Sequence, residues 1–314
     1  MDTKRVGNGK ALRLPDFIHA GPARCGTTWL HEALSPHVRL PLEKETLFFE
    51  YHYERGIQWY GDLFRTASPD VPCGEIAPSY FANAVVRERI RKDLPDCKIM
   101  CTFRDPATRL YSQYRMLRRG GTLERSINFT RYYRLLVHWG GDICGYATQL
   151  RRWQQTFGEH HVLALFYEDL MTDPQAYLDQ VCNYIGTPRF PLEKSPVADV
   201  KVMSIWSRPR DNRASRLAAG SFHWLAQHGA HALLQRAKQT SIGQRMRALL
   251  VEDYESLSQS SIDEVRHLML PDTEELERMT GRDLSRWKPG AASNGKPARE
   301  YTRSLPGRLM DRRV

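Results

Sequence analysis

Gly21 and Gly26 are separated by four residues in the segment 17-FIHAGPARCGTTWLHEAL-34. Glycines at that spacing let backbone N–H groups converge on an anion, and a helix opening directly after them adds partial positive charge at its N-terminus. A loop built for a nucleoside triphosphate continues with Lys and then Ser or Thr, the lysine reaching the terminal phosphates and the hydroxyl a magnesium ion. Here the next residues are Thr27 and Thr28, and the cation inside the loop is Arg24. That argues against ATP or GTP hydrolysis. It suits a smaller 5′-phosphate group, with Thr27 and Thr28 as hydroxyl donors and Arg24 as a planar fork over a transferring oxyanion.

Two further segments carry chemistry. In 103-FRDPATRLYSQYRML-116, Arg104 ends an apolar run and Ser112 falls about two helical turns later, so both can face one anion beyond the carboxyl edge of a sheet. In 43-EKETLFFEYHYERGIQWYGDLF-64, Lys44 and Glu45 stand beside a cluster of aromatic residues that includes Phe48, Phe49, Trp59, Tyr60 and Phe64. Most of those rings suit an ordinary core. An adjacent base and acid next to them is a place where a carboxylate can serve as general base; His52 and His19 are the next candidates for that task.

The elements that must position these residues follow the β-α-β pattern of a parallel sheet with covering helices. Asp16–Ala20 is a strand running into the loop 21–26, and Thr27–Leu34 a helix. Lys98–Phe103 is a second strand, leading into a helix from Pro106 with Asp105 as N-cap. Val162–Tyr167 is a third, between helices over Gln149–Phe157 and Pro174–Ile185. Segment 44–64 reads as loop then helix, and 73-CGEIAPSYF-81 as a proline-bounded stretch. Beyond Pro188 strand signals stop, 213–237 and 243–269 look helical, and from Lys288 onward polar and charged residues predict disorder. The expectation is an α/β fold, a P-loop-like parallel β-sheet flanked by helices with a helical C-terminal portion. It is one domain over 1–287, with a nucleotide core at about 15–190, an acceptor-side portion at about 200–287 and a basic tail at 288–314.

Composition limits the function classes. With 314 residues, 41% hydrophobic and 26% charged, the chain is of ordinary globular composition. Its net charge of +10 is local. Residues 201–250 hold nine Lys/Arg against one acid, and 281–314 nine against three. The N-terminus shows neither a secretion signal nor a membrane span, and the six cysteines form no Cys-x-x-Cys pair, so the reading is a cytoplasmic protein with free thiols and no metal site.

Taken together and in this order, GPARCGTTWL, KETLFF with GIQWYGDLF, GEIAPSYF, FRDPATRLYSQY and 145-GYATQLRRWQQTFGEHHVLALFYEDLMTDP-174 resemble the sulfotransferase family that uses 3′-phosphoadenosine 5′-phosphosulfate (PAPS), in its bacterial and heparan-sulfate-type branch. The resemblance covers about residues 15–190. It implies metal-independent transfer of a sulfuryl group from PAPS to a hydroxyl or amine of a carbohydrate or secondary-metabolite acceptor, leaving adenosine 3′,5′-bisphosphate. It implies Glu45 as catalytic base, and Arg24, Cys25, Gly26, Thr27, Thr28 and Trp29 at the 5′-phosphosulfate. Arg24 and Lys44 assist the transfer, and Arg104 with Ser112 hold the 3′-phosphate. Three departures stand out: Arg24 replaces the usual lysine, Ile76 stands where heparan-type enzymes carry a lysine, and no glycine-rich closing loop is evident. The stretch 201-KVMSIWSRPRDNRAS-215, with Arg208 and Arg210, is the nearest substitute for that loop. The other readings are a P-loop kinase or hydrolase, and a basic nucleic-acid or membrane-surface protein using 213–238 as an amphipathic helix. Nucleic acid is not expected as a partner; the basic C-terminal third leaves peripheral membrane contact open as an accessory property.

Overall fold

The computed structural model describes residues 12–41, 44–64, 71–124, 126–138, 145–192, 207–209, 251–253 and 257–291. Four strands, β1 (Phe17–Gly21), β2 (Gly74–Ile76), β3 (Lys98–Phe103) and β4 (Val162–Phe166), form an all-parallel sheet in the order β2-β1-β3-β4. Every residue of β1 is buried, as expected for an inner parallel strand covered on both faces. Registers include Ile18 opposite Glu75 and Phe103 opposite Phe166.

Because successive strand residues point to opposite faces, Phe17 and Ile18 open two separate cores. On one face Phe17 packs with α1 (Thr27–Leu34) and, later in the chain, the helix Pro174–Ile185, through Trp29, Leu30, Leu178 and Val181. On the other, Ile18 and Phe103 pack with rings from two short helices, α2 (Phe48–Tyr51) and α3 (Gly56–Asp62), and with apolar side chains of the segments that follow. These are α4 (Ala84–Asp93), α5 (Pro106–Arg119), α6 (Phe129–His138) and α7 (Tyr146–Phe157). After β4 come α8 (Tyr167–Thr172) and α9, the Pro174–Ile185 helix. The chain leaves β1 toward β2 on one side and returns to β3 on the other. That is the strand-order reversal at whose carboxyl edge open α/β sheets bind ligands.

Two further helices, α10 (Gln259–Leu268) and α11 (Leu270–Thr280), and the turn after them complete the second core, the helices with Ile262, Val265 and Leu276 and the turn with Leu284 and Trp287. Asp272 of α11 accepts the Tyr146 and Ala147 N–H groups at 2.7 and 3.1 Å and so caps α7 from outside, since Gly145 has no side chain to do it.

The sequence expectations for α1, β3, α5 and α9 agree with the structure, including Asp105 accepting the Ala107 N–H at 2.9 Å. Others need correction. Gly74–Ile76 is a strand, where only a proline-bounded stretch was expected, because three residues are too few to show a period. Tyr167 opens α8 instead of ending β4. Strands do occur beyond Pro188: β5 (Ser207–Pro209) pairs antiparallel with β6 (Val251–Asp253), inside a stretch expected to be helical. Residues 288–291 are packed rather than a tail, with Lys288 bonded to Glu277 and the Ala291 carbonyl to Arg266. Arg208 lies within β5, and nothing further is described of its side chain; Arg210, the 213–237 helix, Cys144 and 292–314 lie outside the described residues.

Candidate active site

The phosphate-type loop requires its glycines. At Gly21 (φ 117°) a Cβ would stand 2.4 Å from the Pro78 carbonyl oxygen, and at Gly26 (φ 85°) 2.7 Å from a Leu170 methyl. Between them Arg24 takes a left-handed φ of 70°, an unfavourable region for a residue with a side chain. Arg104 Nη1 donates to the Arg24 carbonyl at 3.1 Å, which helps to hold it there. The first bond within α1 runs from the Leu30 N–H to the Gly26 carbonyl. The N–H groups of Thr27, Thr28 and Trp29 therefore have no partner within the helix, and face the loop as an anion site would require.

Five side chains gather beside this helix end. Arg24 Nε donates to Ser112 Oγ at 3.1 Å, and Arg104 Nε to Thr108 Oγ1 at 3.2 Å. The Arg104 guanidinium lies over the Tyr167 ring at 4.4 Å. Burial and the nearby Arg104 charge both pull the Arg24 pKa down. Crowded cations of that kind favour a bound anion. The long guanidinium of Arg24 reaches across to Ser112, so the glycine loop and the Arg104–Ser112 segment lie side by side.

At the other side of the helix end, Lys44 Nζ donates to Thr28 Oγ1 at 2.8 Å. Burial lowers the Lys44 pKa, with Glu45 opposing and Arg24 reinforcing. Glu45 is half-buried beside it. The structure thus brings Arg24, Thr27, Thr28, Lys44, Glu45, Arg104 and Ser112 to one edge of the sheet. Cys25, Thr27 and Trp29 are buried, and Trp29 packs edge-on against Tyr177 in the core, so its contribution to a ligand is its backbone.

His19 is not placed as a base. Fully buried on β1, it shares a hydrogen-bond chain with Thr102 and Tyr177, each link 2.8 Å, and burial pushes it down to about 4. His52 stands against Trp59, ring centroids 5.8 Å apart. Sequence reasoning missed Thr108, Tyr167, Glu168 and Glu75. Glu168 accepts the Asp105 N–H at 3.1 Å and burial pushes it up to about 7. Glu75 had a signal, an acid inside the buried GEIAPSYF stretch; the others depend on contacts across the fold. Among the described residues no group of three His, Cys, Asp or Glu is arranged to hold a metal ion, and no helix is long and apolar enough to cross a membrane.

A family model described as sulfotransferase domain matches residues 14–264. Bifunctional heparan sulfate N-deacetylase/N-sulfotransferase 2 of Homo sapiens is 29% identical over 201 residues, covering 57% of this chain and 22% of that protein. Heparan sulfate glucosamine 3-O-sulfotransferase 6 of Homo sapiens is 31% identical over 195 residues, 58% of this chain and 55% of that one. The chain thus spans less than two thirds of either relative. A solved sulfotransferase from Alicyclobacillus acidocaldarius shares the fold, with a TM-score of 0.60 at 19% identity over 87% of this chain and 98% of that one.

Proposed function

The chain belongs to the sulfotransferase family, and from that premise we propose that it transfers a sulfuryl group from PAPS to a hydroxyl or amine of a carbohydrate or small secondary-metabolite acceptor. The observation that carries this reading is the meeting of Arg24, Arg104 and Ser112 beside the N-terminus of α1. Arg104 and Ser112 hold the 3′-phosphate, and the loop N–H groups with Thr27 and Thr28 hold the 5′ end. Lys44, bonded to Thr28, supplies the cation at that end, with Arg24 between the two phosphates.

Glu45 takes the proton of the acceptor hydroxyl as its oxygen bonds to sulfur and the bond from sulfur to the 5′-phosphate oxygen breaks. Adenosine 3′,5′-bisphosphate leaves. The residues supply position and charge, as in phosphoryl transfer. Ile76 is fully buried, so the lysine position of the heparan-type pattern offers no cation here, which supports a less anionic acceptor than the heparan sulfate named for the relatives. One catalytic domain, with Ile18 and Trp287 in one core, and a cytoplasmic setting suited to the free thiols found among the described residues complete the reading.

Titration calorimetry tests it. Adenosine 3′,5′-bisphosphate binds at least tenfold more tightly than adenosine 5′-monophosphate, as expected of charge-assisted contacts contributing about 1.5–3 kcal/mol each. Arg104→Ala removes most of that difference; equal losses for both nucleotides refute the 3′-phosphate assignment. Mass spectrometry of a metabolite library incubated with PAPS identifies the acceptor by a gain of one sulfuryl unit.

A further inference from the structure

Glu75 is a carboxylate in the middle of an aromatic core. It lies on β2 with no exposed surface, and its oxygens accept four hydrogen bonds. The Thr46 N–H (2.9 Å), the Thr46 hydroxyl (2.6 Å) and the Tyr80 hydroxyl (3.4 Å) reach Oε1, and the Tyr60 hydroxyl (2.6 Å) reaches Oε2. All four partners donate, which is what an acceptor-only carboxylate requires. Burying such a group is costly even when it is hydrogen-bonded, and burial raises its pKa.

Two of the four bonds go to one residue, and that residue follows Glu45. Thr46 also accepts the Phe48 N–H on its hydroxyl at 3.2 Å. Between them Leu47 takes a left-handed φ of 53°, a conformation that persists in a non-glycine residue when its surroundings fix it. Phe48 then enters the core and stacks on Tyr60, ring centroids 4.4 Å apart, the same Tyr60 that donates to Glu75. The turn that leaves Lys44 and Glu45 half-exposed while burying Phe48 is therefore closed on Glu75 at both ends. Glu75 is itself paired to Ile18 on β1, three residues before Gly21. The base segment and the phosphate loop hang from neighbouring positions of one sheet.

We propose that Glu75 is a positioning residue for the general base: through its paired bonds to Thr46 it fixes the peptide that presents Glu45 to the acceptor. The inference rests on the reading of Glu45 as base. It differs from a merely structural role in what it makes sensitive, namely the proton-transfer step and not nucleotide binding.

The test compares Thr46→Val and Glu75→Gln, each alone and combined with Glu45→Gln. The rate at which PAPS yields adenosine 3′,5′-bisphosphate is followed with water or a screened alcohol as acceptor, beside calorimetric affinity for adenosine 3′,5′-bisphosphate. An amide at position 75 turns a donor toward one of the four donating partners, and Thr46→Val removes one of the two bonds directly, so either variant that folds suffices. Each should lower kcat about tenfold with nucleotide affinity unchanged within about twofold, and neither should lower it further in the Glu45→Gln background. Val181→Ala, a core truncation on the opposite face of the sheet, should lower thermal stability without lowering kcat. The same fold-loss persisting on top of a Glu45→Gln defect, or nucleotide affinity falling in step with kcat, overturns the role given to Glu75. Full turnover in Glu45→Gln alone overturns the base assignment, and with it this inference.

Discussion

Arg266 and Asp105, 161 residues apart, form an ion pair in which both side chains are almost wholly buried, 3% and 8% exposed. One Asp105 oxygen caps α5 through the Ala107 and Thr108 N–H groups, and the other takes the Arg266 guanidinium. Arg266 also donates to the Ala291 carbonyl at 2.7 Å. Asp105 follows Arg104 directly and caps the helix that bears Ser112, so the C-terminal helices tie down the 3′ side of the site from behind. Arg266→Met leaves a buried carboxylate without its cation and should cost about 3–5 kcal/mol in denaturant unfolding. A loss below about 1 kcal/mol would show that the pair does little to hold this junction.

Glu45→Gln keeps the size of the side chain and removes its capacity to accept a proton. Turnover should fall by about 10²–10⁴ while affinity for adenosine 3′,5′-bisphosphate stays within about twofold. Steady-state kinetics with calorimetry on the same preparation reads both.

Arg24→Lys keeps the charge but loses the Nε donor that meets Ser112 at 3.1 Å. An ammonium cannot reproduce a planar fork, so adenosine 3′,5′-bisphosphate should bind about tenfold more weakly. Unchanged binding would mean that Arg24 acts as a point charge only.

His19 and Glu168 pull the acid stability of the protein in opposite directions. His19 is held near 4 against an ordinary 6.5, so below pH 6.5 the unfolded chain takes up a proton that the folded one refuses. Stability therefore falls as pH drops from 6.5 to 4, by up to about 3 kcal/mol. Glu168 is raised to about 7 from 4.5, so the folded chain holds a proton that the unfolded one releases, and its contribution is lost as pH rises through that window. His19→Gln should flatten the acid loss and Glu168→Gln should steepen it, measured as denaturant midpoints between pH 4 and 7. Parallel curves for both variants and the parent would refute the two assignments.

The local parts of the site were legible because local physics builds them. Glycine spacing, a helix start at Thr27 and the Asp-Pro cap at Asp105 are all encoded within a few residues of where they act. Helical periodicity aims Arg104 and Ser112 at one place; in the structure each bonds to Arg24, and Arg104 also to Thr108. Arg24 could not be aimed, since its contact with Ser112 spans 88 residues and depends on the β1–β3 pairing. Glu75 was readable as an acid in an apolar stretch but not as a partner of Thr46, because that contact needs β2 to be a strand, and three residues do not announce one. Arg266, one arginine among many in a basic chain, carries no local mark.

The separation between Asp105 and Arg266 has a consequence for how the chain is made. Ribosomes add about 5–20 residues per second, so the acid is synthesised roughly 10–30 s before the guanidinium that neutralises it. During that interval the nascent strands and loops can gather, but the carboxylate beside Arg104 stays hydrated, and the junction closes only when the far helix arrives.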